Sequence, residues 1–69
     1  MSGTRWDYTI KAYYPANQGG DLAIETGHKG QASRDIEIAV FRTRMAKGEI
    51  SRIEVTSHVD PVGTVTYYE

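Results

Sequence analysis

The chain has 69 residues, of which eight are basic and nine acidic, and its formal net charge is −1. This balance argues against a general nucleic-acid binder, which carries a basic excess, and against a strongly acidic DNA mimic. The sequence contains no cysteine, which excludes disulfides and thiolate metal sites. A domain this small buries only about 60% of its unfolded surface. We therefore expect oligomerisation to provide any stability that the small core lacks.

The N-terminal region carries no apolar run that resembles a signal peptide, and no stretch approaches the roughly 20 apolar residues of a membrane span. We therefore expect a cytoplasmic protein with no membrane partner. Residues 1–69 form a single domain in this interpretation, and residues 1–4 are expected to be a flexible terminus.

Residues 5–14 show the clearest strand pattern, because apolar and polar side chains alternate along them. Pro15 ends this strand, since it has no N–H to donate, and residues 17–20 form a loop. Residues 21–26 make a shorter strand that pairs with the first as a hairpin, with Leu22 and Ile24 facing inward. The core face of the first strand is predicted to hold Trp6, Tyr8, Ile10, Ala12 and Tyr14.

Residues 33–47 are the best helix candidate. Ser33 suits the N-cap and Gly48 suits the left-handed position that stops a helix. Acidic side chains lie near the start and basic ones near the end, as the helix dipole favours. The competing interpretation is a strand in which Ile36, Ile38 and Val40 alternate with less apolar residues, and five strands would then suggest a small barrel.

Two apolar stripes run along this helix, where a surface helix normally has one. One stripe consists of Ile38, Phe41 and Met45, and the other of Ile36 and Val40. We expect one stripe to pack on the sheet and the other to be covered by a loop, by strand ends or by another chain. A stripe left exposed would be a candidate for the functional surface.

Two further strands follow, at residues 50–59 and 64–68. Ile53 and Val55 are predicted to face inward, and Ile50 to share the opposite face with Arg52. Residues 60–63, Asp-Pro-Val-Gly, match a type I turn between the two strands. The fold prediction is an α+β domain of order β-β-α-β-β, with one antiparallel four-stranded sheet covered on one face by the helix.

Catalytic and metal-binding motifs are not apparent, so we expect neither an enzyme nor a cofactor. His58 and Asp60 could supply two metal ligands, but a third is not visible, and an exposed histidine beside a turn aspartate is the favoured interpretation. The glycine-flanked loop at residues 27–30 precedes the helix and could hold an anion. An ordinary turn is the favoured interpretation there.

The face of the sheet away from the helix is the most informative surface. Tyrosines beside basic residues suit protein interfaces, and they also suit stacking on unpaired bases. The alternative is a solvent-exposed face with no binding role, because Thr and Tyr are common in strands for their β propensity alone. We expect this face to show Lys11, Tyr13, Glu25, Arg52, Thr56, His58, Thr66 and Tyr68.

Our leading functional hypothesis is a small non-enzymatic protein-binding module of the adaptor or inhibitor type, a description that fits small proteins encoded by phages or plasmids. Its contacts would be Tyr13, Arg52 and Tyr68 on the sheet, or Arg42 and Arg44 on the helix. The alternative is nucleic-acid binding, through a sheet platform or a basic helix surface. The platform would consist of Lys11, Arg52, His58 and Tyr68, and the helix surface of Arg34, Arg42, Arg44 and Lys47.

A third hypothesis is a structural subunit of a larger assembly. The closing strand bears on it, because its single charge is the terminal Glu69. A strand edge with so little charge invites pairing with another chain. We therefore predict a homodimer with a continuous sheet, or a strand added to a partner's sheet.

Overall fold

The computed structural model describes residues 6–59 and 61–69 and shows an α+β domain. The predicted order β-β-α-β-β is confirmed, and the alternative of a strand in place of the helix, with its five-stranded barrel, is wrong. The terminus predicted at residues 1–4 and Asp60 of the predicted turn lie outside the described residues. The elements are β1 (Tyr8–Tyr13), a short 3-10 turn (Ala16–Gln18), β2 (Leu22–His28), α1 (Gln31–Ala46), β3 (Arg52–Ser57) and β4 (Val65–Tyr68).

The four strands form one antiparallel sheet in the order β2-β1-β3-β4. The two strands that lie at the centre, β1 and β3, each begin one of the hairpins along the chain. The outer strands β2 and β4 are the edges. Helix α1 connects β2 to β3 and lies over β2, β1 and β3, whereas the backbone of β4 is not covered by it.

The core lies between α1 and one face of the sheet. Ile10, Ala12 and Ile53 are fully buried there, and Phe41 of the helix is only 1% exposed. Ile38 and Met45 pack against the same cluster, which confirms that this stripe faces the sheet. The second stripe has no cover within the described chain: Ile36 is 66% exposed and Val40 42% exposed.

The start of α1 differs from the prediction. The N-cap residue is Gly30, with φ 87°, and the helix begins at Gln31. Asp7, just before β1, accepts the Gly30 N–H through Oδ2 at 3.0 Å. Ser33 is therefore not the N-cap, and its hydroxyl is hydrogen-bonded instead to Nδ1 of His28 at 2.8 Å. The positive φ of Gly30 lets the chain turn from β2 into the helix earlier than Ser33 would.

The end of α1 follows the prediction. Gly48 has φ 80°, and its N–H donates to the Met45 carbonyl at 3.0 Å. The Glu49 N–H donates to the Arg44 carbonyl at 3.0 Å, which completes a Schellman motif. The apolar residue after this motif, Ile50, is buried in the core. The prediction that Ile50 shares the face of Arg52 is wrong, because Ile50 precedes β3 and belongs to the helix cap.

Three residues predicted to be in the core are instead nearly half exposed, at 46% for Trp6, 43% for Tyr14 and 44% for Leu22. Trp6 lies before the bend at Asp7, so the alternation of β1 does not extend to it. Tyr14 follows the last residue of β1. Leu22 is opposite Tyr13, because a bulge in the β1–β2 pairing skips Ala23. In each case a break in the regular strand changes the direction of the side chain.

Candidate functional site

The face of the sheet opposite α1 is open to solvent across all four strands. Residues paired directly across antiparallel strands point to the same side, so the register identifies its members. The partners of Lys11 in β1 are Glu25 in β2 and Glu54 in β3, and Glu54 is in turn opposite Tyr67 in β4. We call this surface the open face. Its strand residues are Thr9, Lys11, Tyr13, Leu22, Glu25, Gly27, Arg52, Glu54, Thr56, Val65 and Tyr67.

Trp6 adds an aromatic ring to the open face. Gly27 is opposite Thr9, and a Cβ at Gly27 would lie only 2.5 Å from the Trp6 ring. The indole therefore lies directly on the backbone of β2, where only glycine leaves room for it. Trp6 is still 46% exposed, so part of its side chain is available to a partner. A glycine within a strand is the signal that could have indicated this close approach.

Tyr13 and Arg52 form a stacked pair at the other end of the open face. They are opposite each other in the register, and the Arg52 guanidinium carbon lies 4.3 Å from the centroid of the Tyr13 ring. The Arg52 Nε atom is shielded from solvent and has no hydrogen-bond partner among residues 6–59 and 61–69. A cation–π contact of this kind contributes about 0.5–1 kcal/mol at an exposed site. The pair therefore presents a prearranged, flat surface.

The charges of the open face balance. Lys11 lies between Glu25 and Glu54 in the register. Arg52 is the other basic residue on the strands of the open face, so two basic side chains accompany two acidic ones. His58, just past β3, is hydrogen-bonded through Nε2 to Thr9 Oγ1 at 2.7 Å. This bond holds the His58 ring at the rim of the open face.

Two surface depressions lie at opposite ends of the open face. One, of about 500 Å³, is lined by Trp6, Asp7, His58, Val59 and Val62. The other, of about 370 Å³, is lined by Tyr13, Tyr14, Ala16, Gly20, Ser51, Arg52 and Glu69. Pockets beside exposed aromatic rings are where the energetically dominant side chains of a protein partner bind.

The prediction that Thr66 and Tyr68 lie on the open face is wrong. Tyr68 is opposite Ile53 and packs against the core on the helix side, and Thr66 is opposite the buried Val55. The open face receives Val65 and Tyr67 instead, and Tyr67 is 55% exposed. The backbone of β4 is not covered by α1. Its sequence therefore lacks the strict alternation that a buried strand shows, and the pattern does not indicate which side chains of β4 face the core.

Of the predicted contact residues, the structure brings Lys11, Tyr13, Arg52 and His58 together at the open face. Tyr68 lies on the helix side, where the Arg42 guanidinium is 5.4 Å from its ring centroid. Arg44 lies on a different side of the helix from Arg42, because positions two residues apart in an α-helix are rotated by about 200° around its axis.

The same geometry excludes the proposed basic surface of the helix. Arg34 stacks on Tyr8, with 4.6 Å from its guanidinium carbon to the ring centroid, and its Nη2 lies 2.8 Å from Asp35 Oδ1. Arg42 reaches toward β4, and Arg44 points away from it. The four basic residues at 34, 42, 44 and 47 therefore do not form one continuous surface. This correction weakens a nucleic-acid contact through α1.

The glycine-flanked loop predicted at residues 27–30 is partly the end of β2, which includes Gly27 and His28. His28 is buried, and its Nε2 lies 2.8 Å from Thr26 Oγ1 while its Nδ1 bonds Ser33. Both ring nitrogens are therefore used in joining β2 to α1. The Gly30 N–H, to which an external anion would bind, already donates to the Asp7 carboxylate.

Within residues 6–59 and 61–69, no three His, Cys, Asp or Glu side chains converge as a metal site would require. The metal pair suggested by His58 and Asp60 includes a residue outside the described part. The described helix is too short and too polar to cross a membrane. No protein-family model, curated protein or solved structure matches this chain, so the assignment of a site depends on its geometry.

Proposed function

We propose that this protein is a small non-enzymatic protein-binding module, of the adaptor or inhibitor type, and that its partner binds the open face. The observation that carries the proposal is that the exposed Trp6 and Tyr67 and the half-buried Tyr13 lie on one uncovered sheet surface. Trp, Tyr and Arg are the residue types enriched at the energetic centres of protein interfaces. All three types are present on this face, with Tyr13, Tyr67 and Arg52 on its strands and Trp6 just before β1.

The rigidity of this surface supports the same proposal. The open face is built on strands whose other side is the packed core, so its backbone is held in place. Trp6 is seated on Gly27 and Arg52 on Tyr13 before any partner arrives. A partner that binds such a surface loses little free energy in ordering side chains.

The charge pattern favours a protein over a nucleic acid. A phosphate backbone that approached Lys11 would also meet Glu25 and Glu54, which flank it across the sheet. Nucleic-acid platforms instead combine stacking rings with a consistently positive groove. A protein partner with charges of both signs complements the open face without this repulsion.

The exposed helix stripe is the competing surface. It offers only Ile36 and Val40, two aliphatic side chains without an adjoining aromatic ring on the same stripe. The open face presents more aromatic area and the two depressions described above. We therefore assign the partner to the open face and use the helix stripe as the control.

The test is affinity capture from nuclease-treated extract of the source organism, followed by titration of the captured protein in purified form. Three baits are compared: the unaltered chain, an open-face variant (W6A/Y13A/Y67A) and a helix-stripe variant (I36S/V40S). We expect a partner that the unaltered chain and the helix-stripe variant retain and the open-face variant loses. Far-ultraviolet circular dichroism of all three baits checks that each is folded.

Two outcomes contradict the proposal. A partner lost only by the helix-stripe variant would move the site to α1. The absence of any specific partner, together with salt-sensitive binding of single-stranded DNA or RNA in an anisotropy titration at low salt, would favour the nucleic-acid alternative.

A further inference from the structure

The edge strand β4 has backbone groups that no other described strand uses. The Ser57 N–H donates to the Thr64 carbonyl at 2.8 Å, which sets the phase of the β3–β4 ladder. Hydrogen-bonded residues alternate along an antiparallel pair, so Thr66 and Tyr68 also direct their backbone groups toward β3. Val65 and Tyr67 then direct their N–H and C=O groups outward, away from the sheet.

We infer that β4 pairs with β4 of a second copy of this chain. The two strands run antiparallel about a two-fold axis at Thr66, and the sheet continues through eight strands. In this register Val65 lies opposite Tyr67 of the partner subunit. Each outward N–H then meets an outward carbonyl, as an antiparallel ladder requires. The inference does not rest on the proposed open-face function, although Tyr67 contributes to both surfaces.

The distribution of charge favours pairing at the β4 edge and pairing with a second copy of this chain. In the β4 pairing, Glu69 lies opposite Gly63 of the partner subunit, so the two glutamates are at opposite ends of the contact. Strand β2 is the other edge, and Glu25 is its central residue. A full antiparallel pairing of β2 with itself would place Glu25 opposite its own copy, and like charges directly opposite are destabilising. The β4 edge is therefore the one suited to self-association.

Side chains across the new contact also match. On the open side, Val65 and Tyr67 of the two copies form two pairs of a β-branched and an aromatic residue. On the helix side, Thr66 lies beside Thr66 of the partner subunit. Both kinds of pair stabilise antiparallel sheets. Val65 is 38% and Tyr67 55% exposed in the single chain, so pairing removes apolar surface from water.

The contact is small, since β4 has four residues. Such a contact falls below the roughly 1,000 Å² of total buried surface that a stable interface needs, so we expect dissociation constants of micromolar or weaker. The dimer should therefore appear in a concentration-dependent measurement and be absent from dilute samples.

Single-cysteine cross-linking tests the register, because the chain has no cysteine of its own. Residues at a non-hydrogen-bonded antiparallel pair have Cα atoms about 4.5 Å apart, which a disulfide can span. We expect T66C to form a covalent dimer under mild oxidation more than about ten times faster than V62C, an exposed loop control, since only the first is held close to its copy. Equal rates for the two variants would overturn the inference.

Sedimentation velocity of the full chain, over a range of concentrations into the hundreds of micromolar, tests the association itself. We expect the mass to rise from one chain toward two. T66K and T66E should each remain at one chain, because like charges meet at the axis, and their mixture should recover the dimer. L22K, which adds the same charge to the β2 edge, should dimerise as the unaltered chain does.

Three results would overturn the inference. The first is a mass of one chain for the unaltered protein at every concentration. The second is a dimer that L22K disrupts and T66K does not. The third is an unaltered chain that stays monomeric while T66K loses the captured partner protein, which would assign the β4 edge to a strand of that partner instead.

Discussion

The two faces of the sheet are made by the same strands and differ almost completely in environment. In β1, Ile10 and Ala12 are fully buried beneath α1, while Lys11 and Tyr13 between and beside them face solvent. In β3, Ile53 and Val55 alternate in the same way with Arg52 and Glu54. The covered face is apolar, with Tyr8 buried beside these aliphatic residues, and it holds the domain together. The open face is aromatic and charged, and the fold does not need those side chains for its core.

This difference implies that stability and recognition are separable in this protein. Changes on the covered face should alter the free energy of unfolding, and changes on the open face should alter partner binding with little effect on folding. The exceptions should be His28, which joins β2 to α1, and Gly27, which lies beneath the Trp6 ring.

The largest effect is expected at Phe41, the most buried side chain of α1. Phe41→Ala should lower the free energy of unfolding by about 3–5 kcal/mol, because it removes apolar contacts and leaves a cavity. Urea denaturation monitored by circular dichroism measures this loss. Val40→Ala changes the neighbouring exposed residue and should cost within about 0.5 kcal/mol. Similar losses for the two variants would contradict the orientation of α1.

His28 should give the next largest effect. His28→Ala removes a buried ring with two hydrogen bonds and leaves the Thr26 and Ser33 hydroxyls without it, at a cost of about 1–3 kcal/mol. Thermal unfolding of this variant should be compared with that of Lys29→Ala, which changes the exposed adjacent residue. If Lys29→Ala is the more destabilising, His28 does not join β2 to α1 as described.

Gly27 links stability to the open face. Gly27→Ala places a methyl group where the Trp6 ring lies, so the ring must move, at a cost of about 1–2 kcal/mol. Trp6→Ala removes the obstacle, and Gly27→Ala should then cost much less. A double-mutant cycle from urea denaturation of the four proteins measures this coupling. Additive effects of the two substitutions would show that Trp6 does not rest on β2.

Asp7 should show a smaller effect. Asp7→Ala leaves the Gly30 N–H without its carboxylate acceptor at the N-terminus of α1, which should cost about 0.5–1 kcal/mol. Asp7→Asn keeps an oxygen acceptor but not the charge, and its loss should be intermediate. Urea denaturation at low salt resolves the three proteins. An unchanged midpoint for Asp7→Ala would argue against the cap.

The smallest effect on folding is expected at Tyr67, which is exposed on the edge strand. Tyr67→Ala should change the free energy of unfolding by no more than about 0.5 kcal/mol. The same variant should weaken binding of the captured partner about tenfold or more, as loss of an interface aromatic does. A variant that binds normally would remove Tyr67 from the contact surface.

The order of elements and the central core were accessible from the sequence, because β1 and β3 are flanked on both sides and packed beneath a helix. Burial there enforces a strict alternation in the strands, which Ile10 and Ile53 follow, and Phe41 lies on the helical stripe that covers them. The capping glycine Gly48 was equally clear, since few residues other than glycine adopt its backbone conformation.

The edges of the sheet were not accessible in the same way. A bend at Asp7 and a bulge opposite Tyr13 each shift the alternation by a residue, and neither has a distinct sequence signal. The backbone of β4 lies beyond α1, and tyrosines at both 67 and 68 left no alternation by which the pattern could assign either ring to a face. The open face was predicted as a surface, but Trp6 and Tyr67, its largest exposed rings, were missed for these reasons.

The most direct test of the open face as the binding surface uses Trp6, the single tryptophan of the chain. Acrylamide quenching of its fluorescence should be measured for the free chain and for the complex with the purified partner. We expect efficient quenching in the free chain, where the ring is about half exposed, and a several-fold lower quenching constant in the complex. A saturated complex in which Trp6 is quenched as readily as in the free chain would contradict the proposal.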